Sequence, residues 1–197
     1  MNEHQILINN IKKYVDLNNA ETEEICRIFQ YESVKKGDVL SDSGDVCRYQ
    51  YFVLEGCLKL FYSGPEGKDH VLYFLPAQWW AGDLYSYFNE TPSEMIIQAI
   101  VNTDVLKIEK KAFDHLLKEF PVFEVFFRTI YQNALGAQHK KTIENLSLPA
   151  KERYLQFIKN FPIVANNVPL KDIASYLGIS PEYLSRLRNH IARNYKS

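Results

Sequence analysis

Apolar positions in the first thirty residues recur with a helical period. Ile6, Leu7, Ile11, Tyr14 and Val15 share one face and predict a helix. Asn19, followed by Glu23 and Glu24, opens a second short helix through Cys26 and Phe29. From Tyr31 the pattern changes to short apolar or alternating runs broken by glycine: KKGDVL, SDSGDVCRYQ, YFVLEG, CLKLFYSG, PEGKDHVLYFLP and QWWAGDL. Leu58, Leu60 and Tyr62 alternate with Lys59, Phe61 and Ser63, the period of a strand. Gly64-Pro65-Glu66-Gly67 is a turn between two strands. A further strand pair is expected in IIQAIVNTDVLKI, turning at Asn102-Thr103-Asp104. Many short strands between glycine turns predict a sandwich or barrel. From Lys110 the helical period returns. KKAFDHLLKEF is one amphipathic helix, and Pro121 suits the first turn of another that runs unbroken to about Leu146. Ser147-Leu148-Pro149 interrupts it. AKERYLQFIKN, residues 150–160, is a helix that stops near Pro162, IVANNVP reads as a loop, and the remainder reads helix, turn, helix.

Composition narrows the function classes. With 46% hydrophobic residues, the 197-residue chain has enough for a packed core in one or two domains. No apolar run is long enough to predict a membrane span, and the mixed, polar N-terminus lacks the apolar stretch of a signal peptide, so a cytoplasmic location is expected. Cys26, Cys47 and Cys57 are widely spaced, and the five histidines do not cluster, so neither a disulfide framework nor a metal site is expected. No nucleophile–base pair or phosphate loop points to an enzyme. Charge is unevenly divided. Residues 150–197 hold eight Lys/Arg against three Asp/Glu, net +5, while the rest hold 15 against 21, net −6. A basic end on an acidic body fits a nucleic-acid module.

The segment VPLKDIASYLGISPEYLSRLRNHIARN sharpens that reading. Ile173, Ala174 and Leu177 lie on one face of a first helix. Gly178 falls where the chain must turn with positive φ. Ile179 plugs the corner, Ser180 is an N-cap candidate and Pro181 a first-turn residue. Leu184 and Leu187 face inward on a second helix, and Ala174 lets the two helices cross closely. This is the pattern of a helix-turn-helix. The outward face offers Pro181, Glu182, Tyr183, Ser185 and Arg186 to base edges, where arginine donates to guanine and glutamate accepts from cytosine. Lys171, Ser180 and Arg188 are the candidates for phosphate contact.

Taken with IASYLGISPEYLSRLR, the barrel segments KKGDVLSDSGD, YFVLEGCLKLFY and VLYFLPAQWWAGDL, together with SLPAKERYLQFI, make the chain resemble the Crp/Fnr family of transcription regulators. The resemblance implies an α+β chain: a β-roll sensor domain with N-terminal helices over 1–120, a dimerisation helix and hinge over 121–148, and a winged-helix-type helix-turn-helix domain over 149–197. The hairpin that many relatives add after the second helix is expected to be short or missing here. Phe123, Phe127, Ile130, Ala134 and Ala137 are spaced as a heptad seam. Burial against the barrel would give the same spacing; the resemblance favours a parallel homodimer. Double-stranded DNA, a second copy of the chain and RNA polymerase are the partners it implies.

Relatives that bind cyclic nucleotides carry a Gly-Glu-Leu-like start and an Arg-Ser/Thr-Ala-like end in the barrel, for the ribose and the phosphate. Here the corresponding residues are Gly82-Asp83-Leu84 and Ser93-Glu94-Met95, and no arginine lies between Arg48 and Arg128. Glu94 would set an anion beside a phosphate, so cyclic-nucleotide capture is expected to be absent and the effector is not named by the sequence. Gln138 and His139 fall where the long helix reaches the ligand in relatives. The alternative to a DNA-binding regulator is a small-molecule-binding module whose C-terminal helices contact protein.

Overall fold

A computed structural model describes residues 3–194. Helices α1 (Glu3–Ile11) and α2 (Asn19–Ile28) come first. The second begins one residue earlier than its acidic pair suggested. Asn18 is the cap, accepting from the Glu21 N–H at 2.9 Å, while Glu21 accepts in return from the Asn18 N–H at 2.7 Å.

The strands are β1 (Gln30–Val34), β2 (Val39–Ser41), β3 (Tyr49–Glu55), β4 (Cys57–Ser63), β5 (Asp69–Pro76), β6 (Trp80–Ala81), β7 (Met95–Ala99) and β8 (Thr103–Glu109), with the short helix α3 (Leu84–Asn89) between β6 and β7. They form two antiparallel sheets in the orders β1-β8-β3-β6 and β2-β7-β4-β5. The turn expected at 64–67 joins β4 to β5, which pair from Cys57↔Pro76 to Ser63↔Asp69. The pair expected in IIQAIVNTDVLKI is corrected. Both strands exist, but β7 lies in one sheet and β8 in the other. Residues 100–102 carry the chain across, and Thr103 and Asp104 already pair with β1. An alternating pattern marks a strand without naming its partner.

Helices α4 (Lys110–Glu119) and α5 (Val122–Ser147) follow, then α6 (Ala150–Asn160), α7 (Pro162–Asn167), α8 (Leu170–Leu177) and α9 (Pro181–Asn194). The stretch read as a loop is thus helical at α7, with Pro162 at its first position and Val164 buried in the C-terminal core. Among the described residues no strand follows Glu109. No helix among them is long and apolar enough to cross a membrane.

The cores divide unexpectedly. One fills the barrel, where Leu58, Leu75, Ile97, Val105 and Leu106 meet α1, α4 and the start of α5. The other unites the C-terminal residues Tyr154, Phe157, Ile173 and Leu184 with Cys57, Phe61, Val71 and Phe74 of the barrel wall. Strand β4 is therefore buried on both faces from Cys57 to Phe61. Leu58 and Leu60 point into the barrel, and Cys57 and Phe61 point toward the C-terminal helices.

Candidate functional site

Helices α8 and α9 meet through a tight turn. Gly178 has φ 66°, and its N–H reaches the carbonyls of Ala174 and Ser175. The Ile179 N–H donates to the Ala174 carbonyl at 3.0 Å. An added Cβ at Gly178 would meet no atom within 4 Å, so the turn needs glycine for its backbone angle and not for space. Ala174 and Leu184 are fully buried, which fixes the crossing of the two helices. Ser180 caps α9 by accepting from the Tyr183 N–H at 3.1 Å.

This packing leaves the expected reading residues outward. Glu182, Tyr183, Ser185, Arg186 and Arg188 are exposed and Pro181 is half-buried. The Glu182 carboxyl is held below its ordinary range by its own backbone N–H and by Ser180, with Arg186 adding attraction. It is therefore an acceptor at neutral pH. Lys171 is exposed near the start of α8. A cleft of about 670 Å³ separates the first turn of α9 and Lys171 from the β4–β5 turn at Gly67, Lys68, Asp69 and His70.

Of the expected effector residues, Asp83 and Ser93 meet at one corner of the barrel. Gly82 and Asp83 follow β6, and Leu84 opens α3. Asp83 caps α3, its Oδ1 accepting from the Tyr85 and Ser86 N–H groups at 3.1 and 3.3 Å. Its Oδ2 accepts from the Ser93 hydroxyl at 2.7 Å. Ser93 is buried and also bonded to the backbone of Met95, Asp45 and Gly44. The carboxylate in the ribose-holding position is thus engaged within the chain. One expectation is corrected here. Glu94 is exposed, so its charge is screened by solvent and does not by itself close the pocket to a phosphate. Gln138 accepts from the Tyr73 hydroxyl on β5, and both it and His139, its neighbour on α5, are exposed.

The heptad expected for the dimer seam is corrected at its first two positions. Phe123 and Phe127 are buried in the barrel core, Phe127 beside Phe113 and Trp80, and Ile130 packs against that core. Phe123 and Phe127 have no surface to offer a second chain, and Ile130 is half-buried. Ala134 and Ala137 continue the same side beyond the barrel and are exposed. The large apolar residues that α5 does expose are Val125, Leu135, Ile143 and Leu146. At 3.6 residues per turn these lie on the opposite side of the helix, with Gly136 and His139 among them.

The family model of the cyclic nucleotide-binding domain matches residues 31–120. A comparison with curated protein sequences gives no match. Among solved structures, a protein assigned to the Crp/Fnr family from Eubacterium rectale is 20% identical with a TM-score of 0.71, covering 94% of this chain and 88% of that one. FixK2 from Bradyrhizobium japonicum is 15% identical with a TM-score of 0.71, over 85% and 86% of the two chains. The c-di-GMP responsive global regulator CLP of Xanthomonas campestris is 12% identical with a TM-score of 0.69, over 90% and 93%. The chain has the Crp/Fnr fold.

Within this Crp/Fnr fold, the contacts that hold the C-terminal helices to the barrel escaped the sequence reading. Lys59 on β4 is buried and pairs with the buried Asp172 of α8 at 3.1 Å, with Asp69 at 3.8 Å. The Ser175 hydroxyl accepts from the Val71 N–H and donates to the Asp69 carbonyl, both at 2.9 Å, so α8 satisfies the free edge of β5. The available signal was a lone lysine inside the apolar run Cys57–Phe61, a position that a charge occupies only when something pairs with it.

Proposed function

We propose that this chain is a dimeric, sequence-specific DNA-binding transcription regulator whose barrel responds to a ligand other than a cyclic nucleotide. The observation that carries the reading is the α8–Gly178–α9 unit: Leu184 and Ala174 are buried, while Glu182, Tyr183, Ser185 and Arg186 stand outward on the first turns of the second helix. That is the geometry by which such a helix enters a major groove. The net +5 of residues 150–197 supplies attraction to phosphate. The Crp/Fnr fold supports the regulator class over an enzyme.

Arg186 is expected to carry base reading and Lys171 to carry position. Arg186→Ala should lose about 1–3 kcal/mol on the best site and relax preference at one base pair of each half-site. Lys171→Ala should weaken all duplexes alike and lower the salt slope by about one per monomer. Titration on matched and mismatched duplexes at several salt concentrations separates the two. An equal loss on every sequence for Arg186→Ala would make α9 a phosphate clamp.

We read the corner at Asp83 and Ser93 as lacking the chemistry to hold cyclic AMP. Asp83 is committed to α3 and Ser93, and no arginine lies between Arg48 and Arg128 to neutralise a phosphodiester. Calorimetry at millimolar cyclic AMP should show no saturable heat. A low-micromolar dissociation constant would overturn this part of the reading.

A further inference from the structure

Lys141 lies on α5 where barrel, long helix and C-terminal helices meet. Its Nζ donates to the Leu72 carbonyl at 2.7 Å and stands 3.7 Å from the Tyr176 ring centre and 5.4 Å from that of Tyr73. Leu72 is a bulge in β5: Leu60 pairs with Tyr73 and Phe61 with Val71, so Leu72 is passed over. Among the described residues no carboxylate forms an ion pair with Lys141. Burial lowers its pKa to about 8. Arg153 is a second cation without an ion pair among them. Its Nη1 donates to the Asn145 side-chain oxygen at 2.8 Å and to the Leu177 carbonyl at 2.7 Å, while its Nε is buried with no partner.

A cavity of about 220 Å³ opens at this junction, with Leu72, Gln138, Lys141, Thr142, Asn145 and Ser175 in its wall. It shares only Gln138 with the residues expected for an effector. The Asn145 amide in the wall is oriented by its partner. Arg153 has donors only, so Asn145 must offer it the oxygen and keeps its NH₂ for another group. Gln138 accepts from the Tyr73 hydroxyl through its side-chain oxygen, which leaves its NH₂ for another group. The wall is therefore rich in donors and carries an unneutralised positive charge. Lys141 is half-buried, and a partly desolvated cation without a counter-ion is unfavourable; an anion held by charge-assisted hydrogen bonds corrects that. The volume is below the roughly 300 Å³ at which drug-sized pockets begin, which restricts the occupant to a small molecule.

We propose that this cavity binds a small oxyanion, a carboxylate or phosphate on a body of few carbons, with Lys141 as counter-ion and the amides of Asn145 and Gln138 as donors. Such an occupant would touch β5, α5 and α8 together and brace the C-terminal helices against the barrel. Binding itself does not depend on the DNA-binding reading; only its effect on DNA does.

Thermal unfolding of the full chain tests it, with inorganic phosphate in one arm, succinate in a second, and sodium chloride at matched ionic strength as reference. A saturable rise in Tm over the chloride reference is expected in at least one arm, and which arm responds identifies the head group. The rise should vanish in Lys141→Met, which keeps the apolar stem, and persist in Lys140→Met, whose side chain is 80% exposed. It should also vanish in Asn145→Asp, which keeps an acceptor for Arg153 but puts a negative charge in the wall. Circular dichroism confirms that each variant is folded. No saturable rise in either arm, or an undiminished rise in Lys141→Met, overturns the proposal. Since no DNA is present, a failure here leaves the DNA-binding reading untouched.

Discussion

Asp172 shows how one residue couples two parts of the chain. Its carboxylate is buried against Lys59, and its Oδ1 has no hydrogen-bond partner among the described residues, so the pair is not fully compensated. Removing one member of a buried pair leaves the other charged and desolvated. Asp172→Ala should therefore lose at most about 3–5 kcal/mol, the cost of a buried pair broken without compensation, since Asp69 at 3.8 Å still offers Lys59 a partner. The double replacement Lys59→Met with Asp172→Leu should recover most of it. Denaturant unfolding with a probe in α8 measures both, and equal losses in single and double variants would mean the pair does not hold the contact. At this scale the sequence was legible where a residue answers to its own backbone. Gly178 was expected at positive φ and has φ 66°. Ser180 was expected to cap and does. It was illegible where a residue answers to a distant partner. Lys59 and Asp172 are 113 positions apart, and nothing local to either one names the other.

Among the elements, α5 is the most instructive. Its spacing of Phe123, Phe127, Ile130, Ala134 and Ala137 is a true stripe, but its first three positions face the barrel, while Ala134 and Ala137 are exposed beyond it. A heptad pattern reports that a helix face is buried, not whose surface buries it. The exposed strip of Val125, Leu135, Ile143 and Leu146 on the other side is where a second copy would pack. Leu135 is 57% exposed, so Leu135→Glu should leave the fold intact and convert a dimer to monomers. Ile130→Glu, by contrast, would unsettle the barrel core and confuse assembly with folding. Light scattering reads the mass, and an unchanged dimer in Leu135→Glu would remove this strip from the interface. The strands teach the same lesson. β7 and β8 were both legible, but their pairing was not, because the turn between them crosses from one sheet to the other.

For the whole molecule, the order barrel, long helix, helix-turn-helix was legible from periodicity and charge, and the break at Ser147–Pro149 is where α5 ends and α6 begins. The sequence did not disclose that the C-terminal core is completed by the barrel wall, through Cys57, Phe61, Val71 and Phe74. A strand pattern such as CLKLF says that both faces avoid water, and tertiary packing decides what covers the second face. The effector corner was legible in part: the missing arginine could be counted, but the bond from Ser93 to Asp83 needed coordinates. The central claim is that this molecule reads DNA sequence as a two-fold dimer through α9. Selection of bound duplexes from a random pool, followed by sequencing, tests it most directly. The account predicts enrichment of inverted half-sites roughly one helical turn apart, about 10 base pairs centre to centre, with enrichment lost in Arg186→Ala. Recovery of no enriched sequence, with the pool bound weakly and uniformly or not at all, would contradict it.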